Sequence, residues 1–261
     1  MKTVVITGGS SGIGLSAANE IAKTCKVYEL SRREATYDDR VHIRTDVSDE
    51  KSVRSAIKQV IEAEGKIDIL VCCAGFGISG AVEFTDEADA RRQLDVNFYG
   101  VDNTVRAVLP YMREAGGGRI VCVSSVAGAI PIPFQTYYSV SKAAINAYVK
   151  ALDLEVKPFG ISACAVMPGD IRTGFTAARK KSYEGDDIYD GRISRSVAGM
   201  EKDEINGGTP DFAGKFIAKK AFAKRVPAVC TIGLKYKFLV LLARTLPQQF
   251  VLKIVGMLYA K

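Results

Sequence analysis

Histidine is nearly missing from this chain: 261 residues contain one, His42. A Ser-His-Asp hydrolase triad or a histidine-rich metal site would have to use that residue. Its place in Val41-His42-Ile43 reads instead as a structural position in a strand. Paired cysteines with ligand spacing are missing too. Cys25, Cys72, Cys73, Cys122, Cys164 and Cys230 lie mostly inside apolar runs, with no Cys-x-x-Cys. This argues against zinc or dithiol redox work and for reduced core thiols, so no metal is expected. There is no room for a leader, because Met1-Lys2 runs straight into the apolar Thr3 to Ile6; the expectation is a cytoplasmic protein. Acid is absent from one end. Phe212 to Lys261 has ten Lys or Arg and no Asp or Glu, against 36 bases and 29 acids in the whole chain. The body is therefore slightly acidic and the net charge of +7 belongs to the tail, which argues against a nucleic-acid surface spread over the fold.

What is present is a chain long enough, at 48% hydrophobic, to bury one large core, expected as one domain with appendages. Thr3-Val4-Val5-Ile6-Thr7 is a β-branched run that ends at Gly8-Gly9-Ser10-Ser11-Gly12-Ile13-Gly14. Leu15, Ala18, Ile21 and Ala22 then recur at helical spacing. Strand, glycine turn and helix form the context of a dinucleotide site, since glycine lets backbone approach a pyrophosphate and the helix start offers unpaired N–H groups. Further on, Ile120 to Val123 reads as a buried parallel strand ending at Ser124-Ser125, and Tyr138 and Lys142 stand four residues apart. On a helix that spacing puts both side chains on one face. A cation there favours the phenolate and lowers the tyrosine pKa, and the Ser125 hydroxyl is placed to hydrogen-bond a carbonyl oxygen. Taken alone, Tyr-x-x-x-Lys is also an ordinary exposed helical pair.

Taken together, the Gly-x-x-x-Gly-x-Gly turn, Ser125, Tyr138 and Lys142, with thirteen residues from serine to tyrosine, resemble the short-chain dehydrogenase/reductase family. The resemblance covers roughly residues 3 to 231. It implies an α/β fold: a doubly wound parallel sheet (Rossmann fold) with helices on both faces, here with a C-terminal apolar helical extension. It also implies an NADP(H)-dependent oxidoreductase that moves a hydride between nicotinamide and a small-molecule ketone, aldehyde or secondary alcohol, assembled as a homo-dimer or homo-tetramer. Tyr138 would be the general acid in reduction, Ser125 would hold the carbonyl oxygen, Lys142 would lower the tyrosine pKa and bind ribose, and Asn97 would order a proton-relay water.

Cofactor contacts implied by the resemblance begin with Gly8, Ser10, Ser11, Gly12, Ile13 and Gly14. Ser31, Arg32 and Arg33 follow the second strand, Lys26 to Leu30. An acid there would accept from the ribose 2′-hydroxyl of NAD, whereas arginines pair with the 2′-phosphate of NADP; a solvated surface pair is the plainer alternative. NADP users in the family often also carry a base in the glycine turn, where this chain has Ser10 and Ser11. Asp46 and Val47 follow the third strand, Val41 to Thr45, and resemble the adenine-contacting pair. Ser48 is expected to cap the next helix, with Gly65 past its end. Strand four, Ile67 to Cys73, leads to Ala74 and Gly75. Here the family usually has Asn-Asn-Ala-Gly. Cysteine cannot supply the amide's hydrogen bonds, so bracing of the central strand is where this chain departs. Pro168, Gly169 and Thr173 match Pro-Gly-x-x-x-Thr, whose threonine contacts the nicotinamide amide. Tyr138 and Lys142 complete the set.

The reductase domain is expected over 1–232, with a substrate lid near 174–208 and a basic apolar helical tail over 233–261. Neither apolar piece of the tail reaches the roughly 20 residues that span a bilayer, and Pro247 separates them. The tail is expected to lie on something: a membrane surface, a partner subunit or the substrate pocket. A nucleotide-sensing regulatory or scaffold protein on the same fold is the alternative from another class. Presence of all four reactive residues opposes it.

Overall fold

The computed structural model describes residues 1–260. Nine strands form: β1 (Thr3–Thr7), β2 (Lys26–Ser31), β3 (Val41–Arg44), β4 (Ile69–Cys72), β5 (Ile78–Ser79), β6 (Gly118–Val123), β7 (Ile161–Met167), β8 (Lys180–Lys181) and β9 (Val229–Thr231). Between them lie the helices α1 (Gly12–Ala22), α2 (Glu50–Glu64), α3 (Glu87–Leu94), α4 (Gly100–Glu114), α5 (Thr136–Val156), α6 (Phe175–Ala178), α7 (Arg192–Ile205) and α8 (Pro210–Phe222). Helices α9 (Leu234–Thr245) and α10 (Gln248–Tyr259) close the chain.

Seven strands make one parallel sheet in the order β3-β2-β1-β4-β6-β7-β9, and β5 pairs with β8 in a small parallel ribbon. Every residue of β1 and β4 is buried, as central parallel strands covered on both faces require. On one side, Val4, Ile6 and Val71 pack with Ile21 of α1 and Ile217 of α8. On the other, Val5, Leu70 and Ile120 pack with Ile57 of α2, Val105 of α4 and Ile145 of α5. The sheet is therefore doubly wound, with helices on both faces. Strand order reverses direction between β1 and β4, and ligands of such sheets sit outside the carboxyl ends of the strands at that switch. Here those ends are Thr7 and Cys72, which deliver the glycine turn and Ala74-Gly75.

Two local expectations change. The cap of α2 is Asp49, whose carboxylate accepts from Lys51 N at 2.9 Å. Ser48 instead donates its hydroxyl to Asp46 Oδ1 at 2.6 Å, because the shorter side chain is drawn to the nearby carboxylate. Strand β4 begins at Ile69, two residues later than the apolar run, since Asp68 turns to accept from Thr3 N at 2.8 Å. Gly65 ends α2 with φ +71°, the left-handed geometry of a helix C-terminus.

Bracing of the central strand past Cys73 comes from a helix. Between α3 and α4 the backbone makes one π-helical turn, Asp95–Tyr99, which carries Asn97. Asn97 and Gln93 are both fully buried. The Asn97 amide accepts from Phe76 N and donates to Phe76 O, each at 3.0 Å. Gln93 accepts from Ile78 N at 2.9 Å and donates to Phe76 O at 2.7 Å.

Candidate active site

The glycine turn lies under the start of α1. Gly8 has φ +68°, and a Cβ there would stand 2.7 Å from the Ala74 backbone; one on Gly14 would stand 2.1 Å from Gly8 O. Only bare backbone fits this packing of turn, helix and β4 exit. Ser11 precedes α1 with an extended backbone, and its side chain makes no cap hydrogen bond. The first N–H groups of α1 thus have no side-chain cap and face the cavity lined by Ser11, Gly12, Ile13 and Gly14. A dinucleotide fits this cradle: uncapped helix donors for its phosphates, and Ala74-Gly75 as a flat wall.

The reactive groups stand on the ends of β6 and α5. Ser125 Oγ accepts from Ala127 N at 3.1 Å and stands within hydrogen-bond reach of the Tyr138 hydroxyl, so both can turn to a shared substrate oxygen. Gly128 lets the turn after Ser125 lie on α5, where a Cβ would come 2.6 Å from the Lys142 backbone. Two further bonds tie helix to strand: Ser124 Oγ donates to Lys142 O at 2.9 Å, and Lys142 Nζ donates to Val123 O at 2.9 Å. The ammonium stands 5.6 Å from the Tyr138 ring centroid. Phe175 also packs against that ring in a tilted arrangement, with centroids 5.6 Å apart.

Burial decides the protonation of this pair. Desolvation pushes Tyr138 up to about 12, with the Ser125 hydroxyl and the Arg179 charge pulling the other way. The lowering expected from Lys142 does not appear among these influences; burial governs, and the tyrosine holds its proton through the neutral range. The same burial brings Lys142 down to about 8, since a charged amine is disfavoured away from water. At neutral pH it is still mainly cationic.

These groups open on one cavity of about 640 Å³. Gly8, Ser11, Gly12, Ile13, Gly14, Arg33, Ala74, Gly75, Ser125, Tyr138, Lys142, Pro168, Gly169 and Thr173 line it. The other sequence-derived candidates stand back from it. Ser31 points its hydroxyl at Glu29 Oε2, 3.2 Å away. Arg32 is exposed; against burial, two hydrogen bonds from Ser48 hold the Asp46 carboxyl below its usual range, with a smaller contribution from the Arg32 charge. Val47 packs on Gly100. Ser10 is half-buried in the turn. Asn97 is buried behind Phe76, and its second amide hydrogen goes to Ser141 Oγ at 3.1 Å, which itself donates to Tyr138 O at 2.7 Å. Asn97 therefore acts here as a clamp on the catalytic turn. His42 is a strand residue whose Nδ1 meets Glu29 Oε2 at 2.7 Å. Glu29 is fully buried behind Gly9 and is not presented to the cavity.

The far wall is built from residues whose role the sequence did not specify. Phe175, Ala178, Met200 and Glu204 come from the 174–208 segment, Leu239, Leu242, Val251, Ile254, Val255 and Leu258 come from α9 and α10, and Leu246 from the turn between them. Tyr236 and Tyr259 pin these helices down, donating to Asp170 at 2.6 Å and Asp203 at 3.0 Å. Glu204 accepts from Thr176 at 2.6 Å and pairs with the buried Arg179. The C-terminal pair thus roofs the cavity with a nearly continuous apolar surface.

Comparisons with known proteins agree with this geometry. Residues 2–184 match a family described as short chain dehydrogenase. The chain is 40% identical over 237 residues to a 3-ketodihydrosphingosine reductase of Bacteroides thetaiotaomicron, covering 89% of this chain and 88% of that protein. Among solved structures, a short-chain dehydrogenase from Streptomyces avermitilis is 28% identical with a TM-score of 0.82, covering 98% of this chain and 95% of the other. The structure of ElxO with NADP bound is 26% identical with a TM-score of 0.75, covering 91% and 99%.

Proposed function

The chain belongs to the short-chain dehydrogenase/reductase family, and on that premise we propose that it is an NADP(H)-dependent reductase of a ketone carried on a long aliphatic chain. The observation that carries this reading is the make-up of the cavity: Ser125, Tyr138 and Lys142 stand on one wall and the apolar roof of α9 and α10 on another. A small polar ketone would leave that roof wet. A chain of methylenes would cover it, at roughly 0.8 kcal/mol per buried CH₂. The substrate named for the Bacteroides relative, 3-ketodihydrosphingosine, has this form: a long chain, a ketone, and an amine and hydroxyl beside it. Of the two acidic side chains on the lining, Glu204 is paired with Arg179, which leaves the Asp170 carboxylate, bonded only by the neutral Tyr236 hydroxyl, suited to an ammonium group.

When bound, the dinucleotide supplies the hydride. The chain's own residues do the rest. Ser125 turns its hydroxyl from Tyr138 to the carbonyl oxygen, and Tyr138, kept protonated by burial, delivers the proton to that oxygen as the alcohol forms. Lys142 holds positive charge beside the tyrosine ring, where a developing phenolate is stabilised. The roof excludes water from the reacting atoms. Arg33 on the cavity edge and the exposed Arg32 support a 2′-phosphate, hence NADP(H) over NAD(H).

A nucleotide-sensing role is not favoured, since it gives no use to a serine, a protonated tyrosine and a buried lysine gathered at one cavity. The test is NADPH oxidation, followed by absorbance, with 3-ketodihydrosphingosine and with water-soluble short ketones. A kcat/KM for the long-chain ketone at least about a hundredfold above that for short ketones is expected from several buried methylenes. Equal values would overturn the substrate class, and no turnover of any ketone would overturn the reductase reading.

A further inference from the structure

Helices α9 and α10 are apolar on both sides. Inner residues such as Tyr236, Leu242, Val251 and Val255 form the cavity roof. Outer residues are left in water: Leu234 is 83% exposed, Phe238 59% and Leu241 57%. These three fall at i, i+4 and i+7, a single stripe along α9. Phe250, Leu252 and Met257 extend the exposed apolar surface onto α10. A patch of this kind on a soluble surface marks a place that meets something else.

Charge indicates what. From Gly233 to Lys261 there are five cationic residues and no acid. Lys235, Lys237, Arg244 and Lys253 are all exposed on these two helices. A second copy meeting this face across a two-fold axis would bring the same cations together with no carboxylate of the segment to pair them. An anionic bilayer surface reverses that sign, and basic residues around apolar side chains are the composition of a helix lying in a lipid interface. Among the described residues no helix is long and apolar enough to cross a membrane, so the geometry is in-plane. Position adds a third argument. Leu239 and Leu258 are 39% and 68% exposed and also line the cavity, so the outer apolar surface continues into the cavity.

We propose that the outer face of α9 and α10 docks this protein on an anionic lipid bilayer, with the cavity mouth turned to the lipid. The docking does not depend on the substrate reading above.

The experiment is flotation of the full chain with vesicles of phosphatidylcholine and phosphatidylglycerol in equal parts, and with phosphatidylcholine alone. Protein should float with the anionic vesicles, less with the neutral ones, and less again at high salt. A Phe238→Ser, Leu241→Ser double variant should reduce recovery with anionic vesicles by about tenfold or more. Neither residue lines the cavity, so dinucleotide binding and turnover of a water-soluble ketone should persist. Lys235→Glu with Lys237→Glu should abolish the advantage of anionic over neutral lipid. No flotation of the parent chain, or undiminished flotation of both double variants, overturns the proposal. It also fails if light scattering shows that Phe238→Ser, Leu241→Ser splits an oligomer whose parent does not float; the face is then an interface between copies. Flotation without turnover of a long-chain ketone would remove the substrate reading and leave docking in place.

Discussion

Tyr236 donates a 2.6 Å hydrogen bond to Asp170 while its ring fills the space above Gly169, where a Cβ would stand 2.2 Å from the ring. One aromatic residue of α9 thus rests on the loop that carries Thr173 to the cavity. The bond goes to a carboxylate, so its loss costs about 1.5 to 3 kcal/mol of roof closure. Tyr236→Phe should therefore raise KM for a long-chain ketone by about tenfold, with kcat little changed, because the roof binds the chain and stands away from the reacting oxygen. Steady-state kinetics with long and short ketones check this. A matching rise for both substrates would place the effect on the cofactor side.

Tyr138→Phe keeps the ring against Phe175 and removes only the hydroxyl. Turnover should fall by about a hundredfold or more, the usual contribution of a positioned acid, while NADPH binding followed by fluorescence is retained. Near-parental turnover would show that another group delivers the proton.

Burial brings Lys142 down from its reference of 10.5 to about 8. Between those two values the unfolded chain binds more protons than the folded one, so this residue makes stability rise with pH there; below about 8 the burial penalty is complete. Lys142→Met should consequently stabilise the ligand-free protein at pH 7 by ~1 to 3 kcal/mol, and the gain should shrink as pH approaches 10.5. Turnover should be lost. Thermal melts of both proteins at neutral and alkaline pH read the difference; a destabilised variant at pH 7 would mean that the bond to Val123 O outweighs burial.

Arg32→Asp should weaken NADP(H) binding by at least about tenfold and leave NAD(H) little affected, since a charge-assisted phosphate contact contributes about 1.5 to 3 kcal/mol. Titration of both cofactors against both proteins measures it. Unchanged affinities would return Arg32 to the status of a solvated surface residue.

Asn97→Leu leaves Phe76 N without its acceptor and Ser141 Oγ without its amide donor in a buried site, while Phe76 O keeps Gln93. A loss of about 2 to 4 kcal/mol is expected in denaturant unfolding. Loss of activity with full stability would instead point to a direct role at the substrate.

Parts of this were open to reading from residue order, and the reason is distance along the chain. Strand β1, the glycine turn and the start of α1 lie within 22 residues, so their backbone requirements show as local spacing. Tyr138 and Lys142 share a helix face for the same reason. Gln93 left no such trace: its partners, Ile78 N and Phe76 O, lie 15 and 17 residues back, and a buried glutamine has no sequence signature. The upward shift of the Tyr138 pKa left no such trace, because a lysine four residues away is visible in the sequence, whereas burial belongs to the folded chain. The tail was legible as two apolar helices, but an apolar face does not say what it covers. That depended on Asp170 and Asp203 being in place to receive Tyr236 and Tyr259.

The reacting wall and the roof of the cavity come from two stretches of chain that do not overlap. Its reacting side is complete by Thr173, inside the matched span of 2–184, whereas the roof begins at Tyr236. Substitutions in the last twenty-eight residues from Leu234 are free to redraw which molecules are admitted without touching a donor, an acid or the dinucleotide cradle. The architecture is modular in the way a lock with an exchangeable keyway is. New selectivity in this lineage would be written at the C-terminus, and a chimaera carrying another member's closing helices should take on that member's preference while keeping its own chemistry.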